Sequence, residues 1–459
     1  MGSIDNTIVA VAIPELKNAL DAPLPWISWT LTSYQLVQVI MLPLAGKLSD
    51  SIGRTRLFVA CVSVFTVSSL LCGMAPNVGL LILFRALQAV GGGGLLPSAV
   101  GIIADQYPRR RAQAVGLISS VMPMGTIVGP NIGGFLLQNW SWRALFWVNV
   151  PLGALVVVTV MLLARRNPEA DRRPLYVDAL GLGLYATALV ALTYGITLVA
   201  DDPSQARGPV VWTLLAGSLV LGIAFLRHVR RAEHPVLDYR LLATNPFLAA
   251  NLYNFFFGAA SMGFFAFVPY YAVVRYHLSP FESGAVLTPR ALMVVSASIL
   301  SSMYLIRLGY RLPMLLGMLL TDVTLLLLSR DWDGLRLGPL DIQGFWLLAA
   351  MLAIGGVGMG LSNPASNNAS LELAPHQAAA MTGIRSMFRL TGGALSIAGI
   401  VLALSFFPDQ AAGFSTIYVV LAAIVLATVP LVFMIPDTAR DSVTHQTVRR
   451  EEPACASPS

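Results

Sequence analysis

Apolar residues fill this chain in long unbroken blocks. They do not alternate as in a strand, nor form the one-sided stripe of a soluble helix. The blocks run to roughly 20 residues, enough to cross a ~30 Å hydrocarbon core. They predict spans at 1–18, 27–45, 57–75, 78–104, 113–137, 143–164, 179–200, 210–226, 247–274, 284–306, 312–329, 343–366, 380–406 and 414–435. The first holds only the apolar run Ile4 to Ile13, about half a span, so it reads as lacking the start of its helix. Gly and Pro recur inside the blocks, as in GGGGLLP from Gly91 to Pro97. Membrane helices tolerate this where neighbours satisfy the freed backbone groups. The pattern predicts an all-α polytopic membrane protein with about fourteen spans. Six lie in 1–164, two in a linker at 165–246 and six in 247–435; the polar tail 436–459 reads as disordered and cytoplasmic.

Composition fits. The chain is 56% hydrophobic and 11% charged, against about 25% charge in a soluble domain. The net charge of +6 sits mostly in short loops, which points to membrane orientation rather than nucleic acid. Arg54 and Arg56, Arg109 to Arg111, Arg165, Arg166, Arg172 and Arg173, and Arg227, Arg230 and Arg231 fall on one side. The opposite loops hold few basic residues, among them Lys17, Arg143, Arg207, Arg275 and Arg336. The richer side is expected to face the cytoplasm, with both termini there and the protein in the inner (plasma) membrane. Cys61, Cys72 and Cys455 show no metal or redox spacing. None of the five histidines lies inside a confident span, which argues against an intramembrane enzyme. No filter-like charged ring marks a channel.

Four stretches carry chemistry. GKLSDSIGRTR follows the second span; Gly46 and Gly53 allow a tight turn, while Asp50, Arg54 and Arg56 supply charges that can latch and release a conformation. LILFRALQAVGGGG puts Arg85 inside hydrocarbon, at a cost of roughly 2.5 kcal/mol or more unless it finds a partner, with Gln88 one turn away. VMPMGTIVGPNIGG aligns Gly125, Gly129 and Gly133 on one helix face, with Pro130 and Gly134 beside them. IDNTIVAVAIP places Asp5 in the apolar start of the chain. It is either a helix cap or a buried carboxylate, whose burial favours the neutral form and a nearby cation the charged one.

The first of these loops resembles the signature of the major facilitator superfamily. The Arg85 segment is similar to its fourth-span motif, where the Arg is tied to proton coupling. The GPxxGG ending resembles the antiporter motif of drug:proton exporters, and the Asp5 stretch the first-span motif of the EmrB/QacA-type fourteen-span antiporters. The resemblance implies two six-helix bundles plus two central helices, driven by the proton gradient without a cofactor. It implies Asp5 and Arg85 as coupling residues, the Gly46–Arg56 cluster as a gate, and export of drugs or other lipophilic or cationic small molecules. In the second half the matching turn, Tyr304 to Arg311, has lost its acid and leading Gly.

Other polar residues lie within spans. Asp322 reads either as a second proton site or as the partner of an Arg, facing the bundle rather than lipid. Arg385 and Arg389 are placed to snorkel toward the cytoplasm. Tyr34, Gln35, Gln38, Gln88, Asn251, Asn254, Asn363 and Asn367 are the expected substrate contacts, since aromatics and amides suit bulky, partly apolar or cationic ligands. Trp26 and Trp29 read as an interfacial belt. Expected partners are a small-molecule substrate, protons and the bilayer, with the protein monomeric. The alternatives are a dedicated exporter of one metabolite, antibiotic or lipid, or a non-transporting membrane sensor.

Overall fold

The structure, a computed structural model, describes residues 1–106, 111–163, 177–233, 235–237, 239, 244–330, 332, 334–337, 340–373 and 378–437. The loops at 107–110 and 164–176 and the tail from 438 lie outside the described residues, and with them Arg109, Arg110, Arg165, Arg166, Arg172 and Arg173.

Helices account for nearly all of it. The first half holds α1 (Gly2–Val11), α2 (Ile13–Ala19), α3 (Leu24–Ile52), α4 (Arg54–Met74), α5 (Val78–Gln106), α6 (Arg111–Asn139), α7 (Ala144–Trp147) and α8 (Asn149–Leu163). The linker spans are α9 (Ala179–Asp201) and α10 (Pro209–Arg231). The second half runs through α11 (Asn245–Gly258), a π-helical turn at Ala259–Gly263, α12 (Phe264–Tyr276), α13 (Pro280–Ala285), α14 (Thr288–Leu308), α15 (Arg311–Leu328), α16 (Gly344–Glu372), α17 (Ala378–Ser405), α18 (Gln410–Ala427) and α19 (Val429–Met434).

Among the described residues, 11 helical stretches are long and apolar enough to cross a membrane. The other three expected spans correspond to α1 with 10 residues, and to α3 and α6 with 29 each. The all-α expectation needs one amendment. Gly334–Leu337 and Leu340–Gln343 form an antiparallel hairpin pairing Gly334 with Gln343 and Leu337 with Leu340.

Large apolar side chains cover the outside. Leu155, Met161 and Leu162 on α8 are 63%, 70% and 77% exposed, and Leu219 on α10 is 66% exposed. In water such a surface would aggregate; in a bilayer it is the solvent-facing side.

The linker pair is bound into the bundle. The Asp178 carboxylate caps α9 by accepting from the Gly181 amide at 2.8 Å, and also meets His228 Nε2 at 2.6 Å and the Val236 amide at 3.2 Å. Burial opposes its charge, but these partners outweigh it and hold the carboxyl below the usual range. Trp29 Nε1 donates to Thr197 Oγ1 at 2.8 Å and Trp26 Nε1 to Asp201 at 2.9 Å. Both tryptophans therefore dock α9 onto α3, a correction to the belt reading: the indole N–H that would face headgroups is satisfied between helices. Tyr185 on α9 shares a 2.7 Å hydrogen bond with Thr391 on α17, so the linker touches both halves.

Candidate functional site

Asp5 lies inside α1, not at its cap, which is Met1 with no side-chain cap bond. It is fully buried. One carboxylate oxygen receives Arg85 Nη1 at 2.5 Å; the other receives Gln88 Nε2 at 2.9 Å and Asn149 Nδ2 at 3.1 Å. Arg85 is also fully buried, donates Nε to the Thr30 carbonyl at 3.0 Å, and lies 4.3 Å above the Tyr34 ring. Its Nη2 has no hydrogen-bond partner among the described residues. Ser69 Oγ accepts from Gln88 and Asn149, each at 3.1 Å.

Spans one, two, three, four and six thus meet at one charge pair. A buried pair of this kind is weak evidence for stability, because desolvation offsets its attraction. Removing one partner is expensive, at roughly 3–5 kcal/mol, because the other charge is left uncompensated. Protonating Asp5 would do this reversibly: the carboxylate is neutralised and the guanidinium must find another partner.

Glycines hold α1 in place. A Cβ at Gly125 would meet Ser3 Cβ at 2.9 Å, one at Gly129 would meet the Ile4 carbonyl at 3.1 Å, and one at Gly133 the Ile8 Cα at 3.4 Å. The glycine face read in the sequence therefore receives α1 of its own half rather than a helix of the other half. α6 continues through Pro130. Contact with the other half is made by Gly134, whose Cβ would lie 2.7 Å from the Pro280 carbonyl, and by the Pro130 carbonyl against Gly284. Beside them Asn131 Nδ2 donates to Thr288 Oγ1 at 2.7 Å. Among the described residues, this is the end of the bundle where a hydrogen bond joins the first half to the second.

The opposite end carries the signature loop. Gly53 has φ +100°, outside the comfortable range of other residues, and lets α3 end and α4 begin with one residue between. Gly46 has open space around its Cα, and Arg56 is exposed. Arg54 Nη1 donates to the Gly101 carbonyl of α5 at 2.8 Å, tying two helices of one half. The Asp50 side chain lies outside the described residues. In the second half the missing acid is supplied from elsewhere: Asp437, after α19, accepts from the Tyr310 amide at 2.5 Å beside Gly309 at φ +74°. Arg311 donates to the Phe433 and Ile435 carbonyls, each at 3.0 Å.

The expected substrate residues separate into groups. Gln88 turns both polar atoms to the Asp5–Arg85 network, accepting from Arg85 Nη1 at 2.6 Å. Tyr34 is fully buried in the same place, its hydroxyl unpartnered. Gln35 and Gln38 are half-buried; the Gln35 amide oxygen has no partner and lies where a Cβ on Gly393 of α17 would be 3.0 Å away. Asn251 and Asn254 bond back to their own helix at Phe247 and Ala250, at 2.9 and 2.7 Å, and Asn254 also accepts from Ser366 at 3.1 Å. Asn367 is half-buried. Asn363 accepts from Arg389 Nη1 at 2.8 Å. Asp322 is 5% exposed on α15, and neither carboxylate oxygen has a hydrogen-bond partner.

Sequence reasoning missed Asn149, Ser69 and Arg290. Asn149 could have been found as the one amide opening the apolar helix α8. Arg385 and Arg389 do not snorkel: Arg385 is 8% exposed and Arg389 is held by Asn363, so both charges stay in the bundle.

Known proteins share this architecture. Crystal structures of peptide transporter POT in complex with sulfate and of a POT family transporter with a thioalcohol-conjugated peptide superpose with TM-scores of 0.67 and 0.69, at 17% and 16% identity. The first covers 95% of this chain and 93% of that one, the second 94% of each. At such identity the likeness concerns the fold. Closer in sequence are the multidrug resistance protein B homolog of Mycobacterium tuberculosis, 32% identical over 87% of this chain and 73% of that protein, and the tetracenomycin C resistance and export protein of Streptomyces glaucescens, 30% identical over 89% and 76%. Multidrug transporter protein MdtP of Bacillus subtilis is 29% identical over 86% and 71%. The Major Facilitator Superfamily profile matches residues 1–330 and 250–456, so with its apolar spans and buried charge pair this chain belongs to the major facilitator superfamily, as a multi-pass membrane transporter rather than an enzyme.

Proposed function

We propose that the chain is a proton-coupled exporter of drug-like small molecules, of the EmrB/QacA type, working by alternating access in the inner membrane with both termini cytoplasmic. The observation that carries this reading is the Asp5–Arg85 pair, buried where α1 is clamped by the Gly125–Gly133 groove. A proton arriving at Asp5 removes its charge, releases Arg85 and loosens the hold of α5 on α1. Re-ionisation restores it. Because α1 also packs near the Gly134 contact, the protonation state is coupled to the seam between halves.

Loop charge assigns the Gly53 end to the cytoplasm. The Gly134–Pro280 seam is then the outer gate, closed here, with cargo entering from the cytoplasm or inner leaflet. Asp322, buried without a hydrogen-bond partner, is the second carboxylate assigned to proton traffic. The relatives named for multidrug resistance and for tetracenomycin export support the direction of transport and a drug-like cargo.

The test uses proteoliposomes loaded with a panel of fluorescent drugs of both charge signs. A pH gradient should drive movement that an uncoupler abolishes and Asp5→Asn eliminates, while gradient-independent exchange in Asp5→Asn persists. Gradient-driven transport by Asp5→Asn at the native rate would refute the assignment.

A further inference from the structure

The second half contains buried cations that proton coupling at Asp5 does not use. Arg290 starts α14; Arg385 and Arg389 lie one turn apart on α17. Arg385 is more than nine-tenths buried and the other two are half-buried. Each has an Nε, shielded from solvent, with no hydrogen-bond partner among the described residues. Their remaining contacts are neutral: Arg389 donates to the Asn363 amide oxygen at 2.8 Å, and Arg290 Nη2 reaches the Met359 sulfur at 3.1 Å. Arg290 stacks 3.4 Å from the Phe265 ring centroid, and Arg389 lies 5.5 Å from that of Phe257. Met359 and Asn363 lie one turn apart on α16, so Arg290 and Arg389 meet neighbouring positions of the same helix.

This is an unusual way to spend three charges. A guanidinium in a membrane bundle normally finds a carboxylate, as Arg85 finds Asp5. A soft thioether and an amide oxygen are poor substitutes. Asp322, the other buried acid of this half, accepts no hydrogen bond from any of the three. The cluster also borders an irregular stretch of its bundle. The π-helical turn Ala259–Gly263 adjoins Gly258, whose Cβ would strike the Arg389 carbonyl, and Gly393 on the next turn of α17 faces Gln35 of the first half. Such π turns recur at functional sites, and this one places the arginines beside the seam between the halves.

We propose that Arg290, Arg385 and Arg389 form an anion subsite, and that the cargo is an amphiphile bearing a carboxylate, phenolate or similar acidic group. Planar, forked donors suit a carboxylate in two-point contact, while Phe265 and Phe257 offer faces for its apolar body. This narrows the cargo from the lipophilic or cationic class that the sequence alone favours. It rests on the export reading in taking the anion for cargo.

The experiment uses the full chain in lipid nanodiscs with two xanthene dyes of similar shape and opposite charge, carboxyfluorescein and rhodamine 123. Binding is read by fluorescence anisotropy without any gradient, so it stands independently of proton-driven export. Carboxyfluorescein should bind and rhodamine 123 should not. Arg389→Gln and Arg290→Gln should each weaken anion binding about tenfold, the weight of one charge-assisted hydrogen bond. Arg389→Lys should stay within about threefold, with an unchanged elution profile showing that the bundle is intact. Rhodamine binding that ignores Arg389→Gln, with no carboxyfluorescein binding, would overturn the proposal. Arg389-dependent dye binding that sodium chloride displaces at constant ionic strength, without dye transport in proteoliposomes, would assign the site to a resident inorganic anion and overturn the cargo.

Discussion

The seam between the halves gives the sharpest quantitative test. A methyl group on Gly134 would lie 2.7 Å from the Pro280 carbonyl and 2.8 Å from the Phe281 Cα, about 0.7 Å short of the 3.4 Å where ordinary contact begins. Both obstacles are backbone, so no side chain can rotate away. Gly134→Ala therefore forces α6 and α13 apart in the sealed conformation and costs nothing once they separate. Overpacking of this kind costs about 1–3 kcal/mol. Applied to one of two states, it shifts their ratio by roughly 5–150-fold. Gly133→Ala is the matched control, since its methyl meets only atoms of Ile8, at an ordinary 3.4–3.5 Å. Spin labels at exposed Gln138 and His277, in a background lacking Cys455, report the separation by pulsed electron resonance. Gly134→Ala should move the distance distribution to a longer, open population and slow gradient-driven transport, while Gly133→Ala should do neither. An unchanged distribution in Gly134→Ala would show that the seam is not the closed gate.

Two further outcomes follow from the same geometry. Asn149→Ala removes a donor to the Asp5 carboxylate, worth about 1.5–3 kcal/mol for a charged acceptor; gradient-driven efflux should fall at least tenfold while gradient-independent exchange persists, and equal loss of both would mean only misfolding. Asp178→Ala leaves Gly181, Val236 and His228 without their shared acceptor and should lower thermal stability by about 1–3 kcal/mol, read from melting in detergent. Because the native carboxyl titrates below its unfolded value of about 3.9, this contribution is complete above that pH and disappears as the pH falls through the depressed native value. A wild-type-minus-variant difference that instead vanished near pH 6 would contradict it.

The legible parts of the site were those where charge conflicts with hydrocarbon. Asp5 and Arg85 stand out because each is the lone charged side chain in its apolar run. Their partnership across 80 positions rests on helix packing that no local pattern encodes. Gln88 reads as cavity lining because it lies one turn from Arg85; only the fold shows that Ser69 and Asn149 close the network around it. Asn149 and Arg290 escaped notice because each lies within two residues of a proline at a helix start, where polar residues are ordinary. The Gly125–Gly133 face was legible as a groove, but glycine spacing describes a surface and not its occupant. The turn at Tyr310 seemed to have lost its acid because Asp437 is 127 residues away.

Under the proposed proton exchange, the uneven placement of charge would also decide which force drives the cycle. The coupling pair in the first half is neutral when ionised, whereas the second half presents three cations to whatever it holds. A monocation leaving in exchange for one proton moves no net charge, and the membrane potential does no work on it. A monoanion leaving in exchange for one proton carries two positive charges inward. At ~2.3 kcal/mol per charge per 100 mV, that is ~4.6 kcal/mol per cycle, a drive of more than about a thousandfold in concentration ratio. A transporter built this way would keep pumping with internal and external pH equal, and would stall when potassium and valinomycin collapse the voltage.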